Sequence, residues 1–227
     1  MIDSKMPENL LKIVSNNMNN KVYTVISIAD IHFGCNESPE YMYNQLKIQF
    51  INKLYKIDFD IISVCGDLFD SKFMSNNIAI TYAILFIDDL VKLCSCKNAT
   101  LILLAGTLSH DANQLSLFYH YMNDPSIDVR IIEKIQFEDI KGIRVLCIPE
   151  LYGISEEEYN NILYYSSGYD VCFLHGTYKN ESGYRFDVDA NRELDDVFTN
   201  VVNLITQVLR TDKRFKNAGT DIKEMSS

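Results

Sequence analysis

Four short runs of β-branched and apolar residues each lead into a residue able to do chemistry, and this constrains the fold more than any other feature. VYTVISIA (Val22–Ala29) runs into Asp30-Ile31-His32, and IISV (Ile61–Val64) is followed by Gly66-Asp67. Thr100–Leu104 leads to Gly106 and then Ser109-His110-Asp111, and Val171–Leu174 stops at His175. Runs of this length and composition read as buried strands. Between them, apolar residues recur at helical spacing over Pro39–Lys56, with Ser38 as N-cap, over Ile78–Leu93 and over Ala112–Met122. Strands alternating with helices predict an α/β fold, a largely parallel sheet flanked by helices. Ligands in such sheets bind beyond the carboxyl ends of the strands.

The remaining stretches have other rhythms. The first twenty residues are polar and end in SNNMNN, and a short helix from Pro7 with a linker after it is the expectation. Val129–Ile132, Phe137–Ile140 and Ile143–Ile148 read as short strands, the last two joined by a tight turn at Lys141-Gly142 and ended by Pro149. Ser155 followed by Glu156, Glu157 and Glu158 is a helix start, since anionic side chains suit the N-terminal end. Beyond His175 the chain is mostly polar, with one helical stretch near Arg192–Leu209. The expected organisation is a polar extension over 1–20, a domain over 21–180 and a tail over 181–227.

Of 227 residues, 31 are acidic and 21 basic, a net charge of -10. That excludes a protein gripping duplex DNA alone through a basic surface. It leaves room for a cation-dependent nuclease, because bound metal ions or a partner subunit can supply the positive charge. The six cysteines are scattered, and Cys65, Cys147 and Cys172 sit in apolar runs as small buried hydrophobes. Cys94 and Cys96 lack the spacing of a zinc knuckle. Reduced thiols, and no apolar run of spanning length, predict a cytoplasmic protein with no membrane segment.

Each strand-end residue has a plain and a chemical reading. Asp30 and His32 are a capping Asp with a solvent-facing His, or a mixed carboxylate–imidazole pair suited to Mn²⁺, Fe²⁺ or Zn²⁺. Gly66-Asp67-Leu68-Phe69-Asp70 is an ordinary turn with Asp70 capping the next helix, or a turn that projects Asp67 to bridge two cations. His110 is a loop histidine beside a capping Asp111, or a proton donor to a leaving oxygen with Asp111 orienting it. His175 is structural or a ligand. His120, inside a predicted helix, is read as structural.

Taken in order, ADIHFG, GDLFD, GTLSHD and VCFLHG resemble the motifs of the calcineurin-like metallophosphoesterases, over roughly residues 21–178. ADIHFG followed by GDLFDS looks most like the nuclease subunits of DNA double-strand-break repair, and GTLSHD is similar to phage-borne relatives. The resemblance implies a sandwich of mixed, largely parallel sheets flanked by helices. It implies two divalent cations, with Mn²⁺ favoured and Fe²⁺, Zn²⁺ or Mg²⁺ as alternatives. Asp30 and His32 would bind the first, Asp67 would bridge both, and His175 would bind the second. His110 would be the general acid, oriented by Asp111, and a hydroxide activated by the two cations would attack phosphorus in line. The implied partners are a DNA substrate, an ATPase subunit and a second copy in a homodimer.

The chain departs from that pattern in two places. Ser109, a weaker ligand, stands where the family has Asn. No histidine follows His175, so the family's final G-H-x-H, with one ligand for each metal, is missing. Asp187 and Asp189 are the acidic residues nearest to replacing it. A chain shortened at its C-terminal end is the expectation, with a diverged binding subunit as the other explanation. Three functions follow: a DNA repair exonuclease, a phosphoesterase acting on a small molecule or nucleotide, and an inactive binding subunit.

Overall fold

Strands covered on both faces read as unbroken apolar runs, because neither face needs polar residues. β3 (Ile61–Cys65) and β4 (Thr100–Leu104) are buried at every position. In the computed structural model they lie at the centre of a five-stranded sheet with β1 (Lys12–Val14), β2 (Val22–Ile28) and β5 (Asp128–Ile132), in the order β1-β2-β3-β4-β5. β2 to β5 are parallel, with Val25 opposite Ile61, Ile61 opposite Thr100 and Thr100 opposite Asp128. Their carboxyl ends therefore share one edge. The structure describes residues 12–14, 22–150, 155, 157, 158, 161, 162 and 168–176, all within one compact unit, Leu10–Gly176.

A second sheet has three strands, β6 (Gln136–Ile140), β7 (Ile143–Ile148) and β8 (Val171–Leu174), in the order β6-β7-β8. β6 and β7 form a hairpin whose turn residues Lys141 and Gly142 have φ of 52° and 90°. Two left-handed residues give the turn that matches strand twist, and Lys141-Gly142 was legible for that reason. β8 joins β7 in parallel, Val145 opposite Val171.

Alternation along the strands separates two cores. One face of the first sheet, with Ile62, Val64, Leu101, Leu103, Val129 and Ile131, packs on the helices. The other face, with Val25, Ile61, Cys65, Ile102, Leu104 and Ile132, meets Ile140, Ile143, Val145, Cys147, Val171 and Phe173 of the second sheet. The layers run helices, sheet, sheet, which is the mixed α/β sandwich expected. Burying Phe86, Ile87, Leu90 and Leu93 of the longest helix, all at 0% exposure, contributes about 1.5–3 kcal/mol each.

That helix, α3 (Ile78–Lys97), extends a turn beyond the expected Leu93. Asn77 starts it by accepting the N–H of Ala79, buried Cys94 keeps the next turn on the core, and left-handed Asn98 ends it. The expected helix over Pro39–Lys56 is α1 (Pro39–Leu46), a π-helical turn Lys47–Ile51, and α2 (Asn52–Leu54). The wider turn changes the phase of the helix, and Ile51 and Leu54 are the residues that reach the core. Gln114–Asn123 is a 3-10 helix; Ala112 and Asn113, with φ of 37° and 65°, move its start past the expected Ala112.

Lys12–Val14 is extended where a helix from Pro7 was expected. Ile13 pairs with Tyr23, so edge pairing prevails there over local helix preference. Ser155 and Glu158 form the reciprocal cap expected of a helix start: the Ser155 N–H donates to Glu158 Oε2 (2.8 Å) and the Glu158 N–H to Ser155 Oγ (3.2 Å). Most of that helix, the first residues of the Pro7 segment, Asp187, Asp189 and the Arg192–Leu209 helix lie outside the described residues. All six cysteines are free thiols, and burial pushes those of Cys94, Cys147 and Cys172 up to about 12. Among the described residues no helix is long and apolar enough to cross a membrane.

Candidate metal centre

Parallel pairing continues past the ends of β2 and β3. The N–H groups of Asp30, His32 and Phe33 donate to the carbonyls of Gly66 (3.2 Å), Asp67 (3.0 Å) and Leu68 (2.9 Å). Within this zipped pair of loops Asp30, His32 and Asp67 have φ of 54°, 54° and 51°. L-residues rarely adopt that region, and three such residues together mark a backbone held in place by its surroundings.

Asp111 fastens the third loop. Its buried carboxylate accepts N–H groups from Gly106 (2.8 Å), Asp67 (3.1 Å) and Phe69 (3.2 Å). Burial raises its pKa, and the three backbone donors offset part of that rise. Asp111 therefore ties the loops after β3 and β4 together. The expected bond from Asp111 to His110 is not formed, because the carboxylate is occupied by backbone donors. His110 instead sets Nδ1 2.8 Å from Asp67 Oδ2.

Asp67 is the centre of the arrangement, at 4% exposure. Its Oδ1 accepts the Thr107 N–H (2.7 Å) and the Thr107 hydroxyl (2.9 Å) and lies 3.4 Å from His175 Nε2. Its Oδ2 faces His110, and His32 Nε2 is 3.9 Å away. Two glycines make room for this. A Cβ on Gly66 would lie 2.2 Å from His175 Nδ1, and one on Gly106 would lie 2.2 Å from Asp67 Oδ1.

These side chains fall into two groups whose ligand atoms lie within 4.8 Å of one another: His32, Asp67 and His110, and Asp30, Asp67 and His175. Asp67 belongs to both. His32 Nε2 also lies 4.0 Å from Asp30 Oδ1, so the two residues expected to pair stand side by side, while His175 joins Asp30 and His110 joins His32 in the three-residue groups. Ser109 belongs to neither; it is exposed and its hydroxyl turns to Thr107 Oγ1 at 3.4 Å. His120 stays apart, with Nδ1 on the Leu117 carbonyl and its ring against Tyr121. Asp70 does not cap α3, which Asn77 does, and its Oδ1 lies 3.6 Å from His32 Nδ1.

Burial by itself would raise the Asp67 pKa, but His175, His110 and Thr107 outweigh it and hold this carboxylate well below its ordinary range. Burial would lower the His175 pKa, yet Asp67, the Cys65 carbonyl and the Asp30 charge raise it to about 9. Asp30 stands at the rim, where its partial desolvation and the Asp67 charge raise its pKa against the pull of His175.

The donor set fits divalent cations. Imidazole and carboxylate together suit Mn²⁺, Fe²⁺ and Zn²⁺. His175 gives Nδ1–H to the Cys65 carbonyl (2.8 Å), which leaves Nε2 toward Asp67, the orientation a ligating imidazole needs. Among the described residues the buried His32 Nδ1 has no hydrogen-bond partner, so no structural hydrogen bond there fixes its ring. A cation would replace the proton that Asp67 now stabilises on His175.

Two residues escaped sequence reasoning. Thr107 gives Asp67 two of its bonds, and its place directly after Gly106 at a strand end was the available signal. Glu150 follows Pro149 at the end of β7, a fifth strand end on the same rim. Its N–H meets the Ala105 carbonyl at 3.4 Å, which brings the edges of the two sheets together.

No family model matches the chain, and no curated protein matches it. Among solved structures, a protein of unknown function from Aquifex aeolicus is 18% identical, with 66% of this chain and 75% of that one covered and a TM-score of 0.31. That degree of likeness defines neither fold nor function.

Proposed function

We propose that this protein is a metal-dependent phosphodiester hydrolase using two divalent cations, with Mn²⁺ favoured, and that its substrate is DNA, as in repair exonucleases. The observation that supports this is the sharing of buried Asp67 between two three-residue groups at the carboxyl edge of a parallel sheet. Bound cations would supply Lewis-acid stabilisation of a phosphoryl group and lower the pKa of a water nucleophile. Asp30, His32, Asp67, His110 and His175 would hold them. Thr107 fixes Asp67 through two bonds, and the Cys65 carbonyl fixes the His175 ring. With Nδ1 on Asp67, His110 keeps Nε2 to exchange a proton with a leaving oxygen; its place beside His32 would let it serve as a ligand instead.

A second reading, hydrolysis of a small phosphoester, is favoured by one observation. Among the described residues, the cleft beside the centre is lined by Glu133, Glu150, Leu108 and Pro149, and no Lys or Arg lines it. Cleavage of a labelled duplex measured against a chromogenic phosphodiester separates the two readings.

The primary test is Mn²⁺ titration of thermal stability in wild type, Asp67→Ala and Asp67→Asn. A site filled to a hundred times its Kd stabilises by about 2.7 kcal/mol. Wild type should show that rise and both variants should lose it. Equal responses in all three would leave a binding subunit without metal chemistry as the surviving reading.

A further inference from the structure

Glu150 carries a carboxylate into a half-buried place on the rim. It stands half-buried at the end of β7, pressed against the backbone beside His175: a Cβ on Gly176 would come within 2.8 Å of Glu150 Oε2. Among the described residues no hydrogen bond or ion pair engages its carboxylate. Burial raises its pKa, the His175 charge pulls it part of the way back, and the Asp67 charge adds a smaller rise. A carboxylate without a partner, half removed from water and close to another carboxylate, is destabilising unless a cation sits nearby.

The candidate cation group of Asp30, Asp67 and His175 contains two anions and one imidazole and lies on the same rim. Glu150 is not among the atoms that converge within 4.8 Å in that group. Its position suits an outer shell, where carboxylates orient the inner ligands and add negative charge to the site. It also occupies a strand end beside His175, in a group that has three ligands among the described residues.

We infer that Glu150 is a fourth protein group of the Asp30–Asp67–His175 cation centre, an outer-shell carboxylate that strengthens cation binding through its charge. This rests on the proposed metal-dependent function. In that setting Glu150 is a positioning residue, and it has a signature that a merely structural residue lacks. Removing its charge should leave the metal-free protein as stable as before or more so, because the cost of burying an anion outweighs its attraction to His175, while binding of the cation should weaken.

The test is calorimetric titration of Mn²⁺ into the full chain, with Tm measured before and after loading, for wild type, Glu150→Gln and Glu150→Asp. The expected result is two sites in wild type and one of them weakened about 10- to 100-fold in Glu150→Gln. The metal-free Tm of Glu150→Gln should equal or exceed that of wild type, and Glu150→Asp should recover part of the affinity. Unchanged affinity in Glu150→Gln beside a wild type that binds Mn²⁺ overturns the role of Glu150 alone. A metal-free Tm that falls as far as the loaded one makes Glu150 structural and also overturns it. No Mn²⁺ binding by wild type overturns this inference together with the function beneath it.

Discussion

Gly66→Ala tests whether the backbone at the end of β3 was shaped around His175. Gly66 has φ of +81°, and an added methyl would lie 2.2 Å from His175 Nδ1 and 2.4 Å from its Cγ. Holding an alanine in the left-handed region costs about 1–2 kcal/mol. The ring must also move, and the bond from its Nδ1 to the Cys65 carbonyl, 2.8 Å long, is worth about 1 kcal/mol. Alanine narrows the unfolded ensemble and returns about 0.4–1 kcal/mol. The net loss is about 2 kcal/mol, or a fall in Tm of about 4–8 °C for a domain of this size. Urea denaturation of the metal-free protein measures the first quantity and differential scanning calorimetry the second. Displacing His175 should also abolish most of the Mn²⁺-induced rise in Tm. A variant with wild-type stability and a wild-type Mn²⁺ response would refute the placement of His175 against Gly66 and its part in the cation group.

The remaining predictions concern charge and loop fastening. Because the folded-state pKa of His175 is raised to about 9, its contribution is complete below its ordinary 6.5 and is lost as pH rises toward 9. Asp67 is lowered, so its contribution is present above its ordinary 3.8 and is lost as pH falls. Metal-free Tm should therefore decline between pH 6.5 and 9 in wild type and not in His175→Gln, whereas Mn²⁺ affinity should rise over that range as ligand protons leave. A metal-free wild-type Tm that stays flat there would contradict the ion pair. Asp111→Ala strands three backbone N–H groups at about 1–3 kcal/mol each, so the urea midpoint should collapse. If Asp111 served only to orient His110, stability would stay near wild type and the pH profile of hydrolysis would shift instead. Thr107→Val keeps the backbone bond to Asp67 and removes the hydroxyl bond; calorimetry should find weaker Mn²⁺ binding with the fold intact, and unchanged binding would exclude Thr107 from fixing Asp67.

What the sequence made legible was decided by local physics. Ile61–Val64 and Thr100–Leu104 could be read as strands because both faces are buried, and Lys141-Gly142 as a turn because of its glycine. That Asp30, His32, Asp67 and His110 gather at one rim also followed from strand order, since parallel strands bring their carboxyl ends together; His175 reaches them from β8 of the second sheet, which strand order did not reveal. The partner of His110 did not follow. It depends on where the loop after β4 swings His110, and on Asp111 being taken up by the N–H groups of Gly106, Asp67 and Phe69. Ser109 was placed by motif position, while the fold turns it to Thr107 and solvent. Lys12–Val14 took a strand because of a partner ten residues away in sequence, a contact no local preference reveals.

The left-handed backbone at Asp30, His32 and Asp67 also bears on how this chain would change over generations. At most positions mutation away from the resident amino acid erodes the fold. At these three, glycine would suit the main chain better than the residues now present. In a lineage with no use for the rim, substitutions to glycine at Asp30 and His32 would be favoured by stability itself, which gives decay a direction, whereas the bonds of Asp67 to Thr107, His110 and His175 would hold it longer.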